Sequence, residues 1–127
     1  MILVTGATGT VGREVVAQLL AARQKVRAMT RNPMRAKLDS RVEVVRGNFE
    51  DPASLETAVR GVDRVFSLTV GPQTGLHEKN LAEAAKAARM IHPRILYPYH
   101  QGQSNPADLK RLLQDQKGID VRVRALP

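Results

Sequence analysis

Cysteine is absent from the 127 residues, so neither a disulfide nor a thiolate-held metal can form. Tryptophan is absent as well and aromatics make up only 3%, which leaves Ala, Val, Leu and Ile to fill a core. No apolar run approaches the roughly 18–20 residues of a membrane-crossing helix. The apolar start, Met1 to Val4, lacks a preceding basic stretch and soon meets Gly6 and Gly9; it reads as a strand, not a secretory leader. With no cysteine and no leader, the expected compartment is the cytoplasm. His77 and His92 stand alone, and no metal site is expected. Positive charge, by contrast, is abundant: Lys and Arg total 20 against 12 Asp and Glu, a net charge of +8. It is spread along the whole chain, as on a solvated basic surface, and can also attract polyphosphate. Nucleic acid is an unlikely partner, because no helix-turn-helix or aromatic RNA-binding motif accompanies the charge.

The length suits one domain spanning 1–127. Apolar β-branched runs alternate with helical patterns. Ile2-Leu3-Val4-Thr5 is a short continuous run, as expected of a strand buried on both faces. Residues 10–23 predict a helix whose apolar face is Val11, Val15, Val16, Leu19 and Leu20. Further strands are expected at 25–30, 42–46, 63–68, 94–97 and 119–125. Helices are expected from Asp51-Pro52 to about Arg60, over 77–89 and over 106–117, with a short helical turn before Leu38. Strand–helix alternation predicts an α/β fold. The expected form is a doubly wound parallel sheet in three α/β/α layers, a Rossmann-type architecture of order 3-2-1-4-5-6. Ligands then bind at the carboxyl ends of the strands, near the switch between the first and the fourth.

Thr5-Gly6-Ala7-Thr8-Gly9-Thr10-Val11-Gly12 joins the first strand to the first helix. Its G-x-x-G-x-x-G spacing is one residue wider than the commonest dinucleotide fingerprint, but the physics is shared. Gly6 permits the tight turn, Gly9 lets backbone approach a pyrophosphate, and Gly12 lets the helix pack on the sheet. Free N–H groups around Thr10 and Val11, aided by the helix dipole, face the anion, and Thr8 and Thr10 add hydroxyl donors.

The end of the second strand separates NAD from NADP. Readers of the ribose 2′-OH place an acid there; this chain has Thr30-Arg31-Asn32. Arg31 can fork onto a 2′-phosphate, with Arg35 and Lys37 near enough to help. NADP is therefore expected, with NAD as the second choice. Asn48 can bond the adenine edge and Phe49 cover its ring, or both can serve as loop packing. Thr69 follows the fourth strand, near the expected nicotinamide ribose.

These stretches resemble the NmrA-like group of atypical short-chain dehydrogenases/reductases. The match runs through VTGATGTVG, MTRNP, VVRGNFEDPASL, VFSLTVGP, NLAEAAKAA and LLQDQKGIDVRVRALP. The resemblance implies NAD(P) binding by Gly6–Gly12 and Arg31, with Asn48, Phe49 and Thr69 lining adenine and ribose. Members include quinone, flavin or small-aldehyde reductases and redox sensors without catalysis. Family chains continue into a C-terminal substrate-binding part, so a truncated or divergent copy is expected here.

The resemblance brings no evident catalytic pair. Carbonyl-reducing relatives place Lys four residues after Tyr, where Tyr97 is followed by Gln101 and Tyr99 by Gln103. Tyr99 and His100 remain as candidate proton donors. A quinone or flavin acceptor needs positioning more than an acid. The reading is an NADP(H)-dependent oxidoreductase or, alternatively, a non-catalytic NAD(P)-binding sensor; the substrate is not specified. A homodimer paired through the sixth-strand edge is a further expectation.

Overall fold

A computed structural model describes residues 1–87, 95–101 and 120–121. The elements are β1 (Ile2–Val4), α1 (Thr10–Ala21), β2 (Val26–Thr30), a 3₁₀ turn (Pro33–Arg35), β3 (Glu43–Arg46), α2 (Pro52–Val59), β4 (Arg64–Val70), α3 (Thr74–Ala87), β5 (Ile95–Gln101) and β6 (Asp120–Val121). The strands form one sheet in the order β3-β2-β1-β4-β5-β6, parallel at every pairing. This is the doubly wound Rossmann order expected from the sequence. The expected helix at 106–117, together with His92 and Lys110, lies outside the described residues, and of the expected sixth strand at 119–125 only Asp120–Val121 lie within them. Among the described residues no helix is long and apolar enough to cross a membrane.

Two-residue periodicity on the central strands builds two cores. Val4 sits opposite Ala28 and Phe66. That row packs with Val16, Leu19 and Leu20 of α1. The neighbouring row pairs Leu3 with Arg27 and Val65. Leu3 and Val65 pack with Leu55, Ala58 and Val59 of α2 and Leu81, Ala82 and Ala84 of α3. Strands that are apolar on both faces thus receive helices on both faces. Arg27, at the margin of the second row, donates to the carbonyls of Ala58 and Arg60 and pairs with Glu43 at 2.9 Å, tying the end of α2 to the sheet.

Element ends follow local chemistry. Asp51 caps α2 by accepting from the Ser54 N–H at 3.4 Å, and Pro52 takes the first helical position, as expected. α1 stops at Ala21, short of the expected Arg23. Arg23 adopts a left-handed φ of 57°, the Arg23 N–H donates to Leu20 O at 3.0 Å and the Gln24 N–H to Leu19 O at 2.9 Å. These are the paired bonds of a Schellman end, with arginine where glycine is usual. α3 starts three residues before the expected His77. Gly71 turns the chain at φ 100°, and the Thr74 hydroxyl donates to Gly71 O at 2.7 Å. Ahead of β3, Arg41 forks onto Asp39 at 2.9 and 2.8 Å. Those hydrogen bonds hold the exposed Asp39 carboxyl well below the usual carboxylate range.

β5 is longer than the expected 94–97, running through Pro98 to Gln101. β6 pairs with Ile95 and Leu96, and Pro98 stands in register with Ser67 of β4. Tyr99 and His100 therefore lie within a strand, in register with Leu68 and Thr69.

At the carboxyl end of β1, the fully buried Thr5 stitches the sheet together. Its N–H donates to Phe66 O at 3.0 Å. Its hydroxyl donates to Leu68 O at 3.1 Å and accepts from the Leu68 N–H at 2.8 Å. One side chain thus satisfies both backbone groups of a residue that β1 no longer reaches. Replacement by the isosteric valine, Thr5→Val, leaves both groups without these partners. A loss of about 1–3 kcal/mol is expected in urea unfolding, and an unchanged midpoint would show that the hydroxyl is dispensable.

Candidate functional site

The glycine turn leaves β1 next to β4. Gly6 has a left-handed φ of +61°, and a Cβ there would lie 3.0 Å from the Leu68 Cβ, so both conformation and space require glycine. Gly12 is required by contact alone: its Cβ would stand 2.1 Å from Gly6 O and 2.8 Å from the Ala7 Cα. Gly9 differs from both. Its backbone is ordinary extended chain, φ −78° and ψ 173°. A Cβ on it would meet Gly6 O at 3.4 Å, an ordinary contact. The fold has room for a side chain at Gly9.

Gly9 is also the N-cap of α1, with no side-chain cap bond and no acid in the first turn. The Arg13 N–H closes onto Gly9 O at 2.9 Å, which leaves the Thr10, Val11 and Gly12 N–H groups without intrahelical acceptors. Thr10 and Val11 are exposed. Such a helix start carries a partial positive charge and three orphan donors, a ready site for an anion.

Beside the turn, a cavity of ≈ 330 Å³ opens at the carboxyl ends of β1 to β4. Gly6 and Thr8 form its floor, Thr30 and Arg31 one side, and the loop Asn48 to Glu50 the other. Leu68, Thr69 and His77 close it on the β4 side. The cavity therefore gathers six of the expected residues: Gly6, Thr8, Arg31, Asn48, Phe49 and Thr69. Gly9, Thr10 and Val11 do not line it and sit at the exposed helix start, while Gly12 is buried under Gly6. Arg31 is exposed, with a side chain free to meet a ligand.

The side formed by the β3–α2 loop is held by its own bonds. The Asn48 N–H donates to the Ser54 hydroxyl at 2.9 Å, and Asn48 Oδ1 accepts from the Glu50 N–H at 3.2 Å. This occupies the Asn48 carbonyl oxygen in a local turn and leaves its NH₂ as the group to offer a ligand. The Phe49 ring stacks on His77, centroids 4.9 Å apart and planes within 9°. Asn80 Nδ2 donates to Phe49 O at 2.9 Å. Thr69 lies inside β4 and not after it, and its hydroxyl donates to the buried Glu78 at 3.1 Å. It shapes the wall with its hydroxyl already engaged.

Sequence reading missed three participants. His77, which stands alone in the sequence, and Asn80 of α3 both brace Phe49. Their spacing of three along α3 was the available signal, since such residues share a helix face. Arg13 carries no motif signal, and its contacts run through backbone carbonyls that no side-chain pattern reports.

A family model described as NAD(P)H-binding matches residues 6–96. The chain is 48% identical over 93 residues to a (4-alkanoyl-5-oxo-2,5-dihydrofuran-3-yl)methyl phosphate reductase of Streptomyces griseus, covering 72% of this chain and 32% of that protein. It is 39% identical over 95 residues to an NAD(P)H azoreductase of Xenophilus azovorans, covering 72% of this chain and 33% of that protein. Among solved structures, an NADPH-dependent quinone oxidoreductase of Escherichia coli complexed with NADPH superposes with a TM-score of 0.76 at 25% identity, covering 97% of this chain and 47% of that one. The chain spans about a third of the length of the curated relatives it matches.

The contrast between Gly9 and Gly12 is testable. Gly9→Val should stay folded, losing at most about 1 kcal/mol for a poorer cap, while titrations with NADPH and NADH both fail. Gly12→Ala should instead lose about 1–3 kcal/mol of stability by overpacking. Undiminished nucleotide affinity in Gly9→Val would place the anion elsewhere.

Proposed function

Because this chain belongs to the NAD(P)H-binding family, we propose that it holds NADP(H) in this cleft and serves hydride transfer to a quinone, a flavin or a small carbonyl. The observation that carries the reading is the shared cavity of the Gly6–Thr8 turn and Arg31. The turn offers backbone N–H groups to a diphosphate, and no acid follows β2 to claim a ribose hydroxyl. Arg31 supplies a fork for a 2′-phosphate. Asn48 offers its NH₂ to the adenine edge and Phe49 its ring, backed by His77. The space above Gly9 admits the diphosphate where a side chain would otherwise stand. NADP is the preferred nucleotide and NAD the weaker one.

When bound, the reduced nicotinamide supplies the hydride. The chain's own part is to orient the nucleotide and, for a carbonyl acceptor, to furnish a proton. Tyr99 and His100 are the candidates for that proton, on the strand beside Leu68 and Thr69. A quinone acceptor takes hydride and draws its second proton from water, so it asks for placement alone. The cytoplasm is the compartment that fits this reading, and pairing of two copies along the sixth-strand edge is the partner it suggests.

The test is calorimetric titration with NADPH, followed by absorbance-monitored NADPH oxidation with several quinones. Binding with turnover supports the oxidoreductase; binding with no turnover favours a nucleotide-sensing module. Arg31→Ala is expected to weaken NADPH by about ten- to hundredfold, the equivalent of roughly 1.5–3 kcal/mol for a charged hydrogen bond, and NADH far less. Equal losses for both nucleotides would remove the 2′-phosphate role.

A further inference from the structure

We infer that Arg13 is a positioning residue that fixes the spacing between the glycine turn and the basic segment after β2, and thereby sets the preference for a 2′-phosphorylated nucleotide. The inference rests on the nucleotide reading above and adds the element that couples its two phosphate sites.

One guanidinium spans two separate stretches of chain. Arg13 Nε donates to Thr8 O at 3.0 Å, Nη1 to Lys37 O at 3.0 Å and Nη2 to Ala36 O at 3.2 Å. Thr8 lines the cavity beside the turn. Ala36 and Lys37 close the segment that opens with Arg31 and carries Arg35. The guanidinium is planar and rigid, so three bonds made by one group fix the relative position of the carbonyls they meet. A lysine head, a single point charge on a flexible stem, cannot span the same three acceptors.

The held segment needs support. Lys37 has a φ of +40°, a left-handed conformation that a residue with a side chain seldom adopts unless its surroundings enforce it. Beyond Ala36, which is buried, the segment presents Arg31, Asn32, Met34, Arg35 and Lys37 exposed to solvent. Its own backbone bonds, Arg35 N–H to Asn32 O and Ala36 N–H to Pro33 O, are local, and Leu38 at its end packs against the core that α1 also covers. Arg13 adds the polar link that holds the Ala36 and Lys37 carbonyls in place.

The chemistry of the ligand says why the spacing matters. In NADPH the diphosphate and the 2′-phosphate hang from the same ribose, so their separation varies little. Reading both demands two protein segments at a matching distance. Reading NADH demands the turn alone. If loss of the Arg13 bonds leaves the basic segment in its binding posture about one-tenth of the time, NADPH affinity falls about tenfold and NADH affinity stays.

The experiment compares Arg13→Lys and Arg13→Gln with the wild-type chain. It titrates NADPH, NADH, 2′,5′-ADP and ADP, with a thermal melt of each protein and the rate of limited trypsin cleavage after Arg35 and Lys37. Expected is an approximately tenfold weaker binding of NADPH and 2′,5′-ADP in both variants, with NADH and ADP within about twofold, similar melts, and faster cleavage of the segment. Loss in Arg13→Lys as well as Arg13→Gln assigns the effect to geometry. Wild-type affinity in Arg13→Lys would assign it to charge and overturn the inference, as would equal losses for phosphorylated and plain nucleotides. Unchanged cleavage would overturn it without reference to any nucleotide. Should Arg13→Gln melt early, Arg13→Lys carries the comparison. A wild-type chain that binds neither nucleotide removes the functional reading itself, and shows in the reference titration before any variant is measured.

Discussion

The contact on which this structure turns is backbone against backbone. At Gly12 the first helix presses onto the chain that feeds it, so closely that a methyl group would stand 2.1 Å from Gly6 O. Packing this tight fixes where α1 begins and which way its first N–H groups face, because neither partner has a side chain that could yield. The other features of the carboxyl edge follow. Gly6 must swing left-handed to clear Leu68, β1 departs from β4 at that point, and Thr5 fills the resulting gap with a hydroxyl that serves both backbone groups of Leu68. The cleft is the opening left beside that departure.

The two sides of the cleft are secured by different physics. The β3–α2 loop is anchored into the body of the protein: Ser54 holds Asn48, Asn80 holds the Phe49 carbonyl and His77 lies flat on the Phe49 ring. The opposite side, after β2, is largely solvent-exposed, with Leu38 packed on the core and Arg13 of α1 holding the Ala36 and Lys37 carbonyls. A wall stacked on α3 opens less readily than one tied by two guanidinium bonds at or near the surface.

Much of the architecture was legible because it depends on pattern. Alternation of apolar runs with helical periodicity is enough for a parallel sheet, and the handedness of crossovers leaves few orders to choose from. Asp51-Pro52 marks its helix start through cap chemistry that is local by nature. The glycine turn and Arg31 were legible for the same reason, each being a short-range signal in a required context. What escaped reading depends on contacts distant in sequence. Arg23 ends α1 in a conformation usually left to glycine, so no residue type announced it. β5 runs through Pro98 to Gln101, beyond the expected 94–97. Thr69, expected near the nicotinamide ribose, lines the cavity, and the bond of its hydroxyl to the buried Glu78 on α3 had no local signal. Arg13 bonds carbonyls 23 and 24 residues away, a relation that exists only once the chain is folded.

Among the described residues, those lining the cleft fall between Gly6 and His77. That part of the cleft is thus encoded in one continuous stretch of chain. Such an arrangement is modular in the genetic sense: one continuous coding segment can be joined to different downstream sequences, and those can drift toward new oxidants while the reductant's seat stays under its own constraint. Two of the relatives, a (4-alkanoyl-5-oxo-2,5-dihydrofuran-3-yl)methyl phosphate reductase and an NAD(P)H azoreductase, are named for different substrates while each matches 72% of this chain.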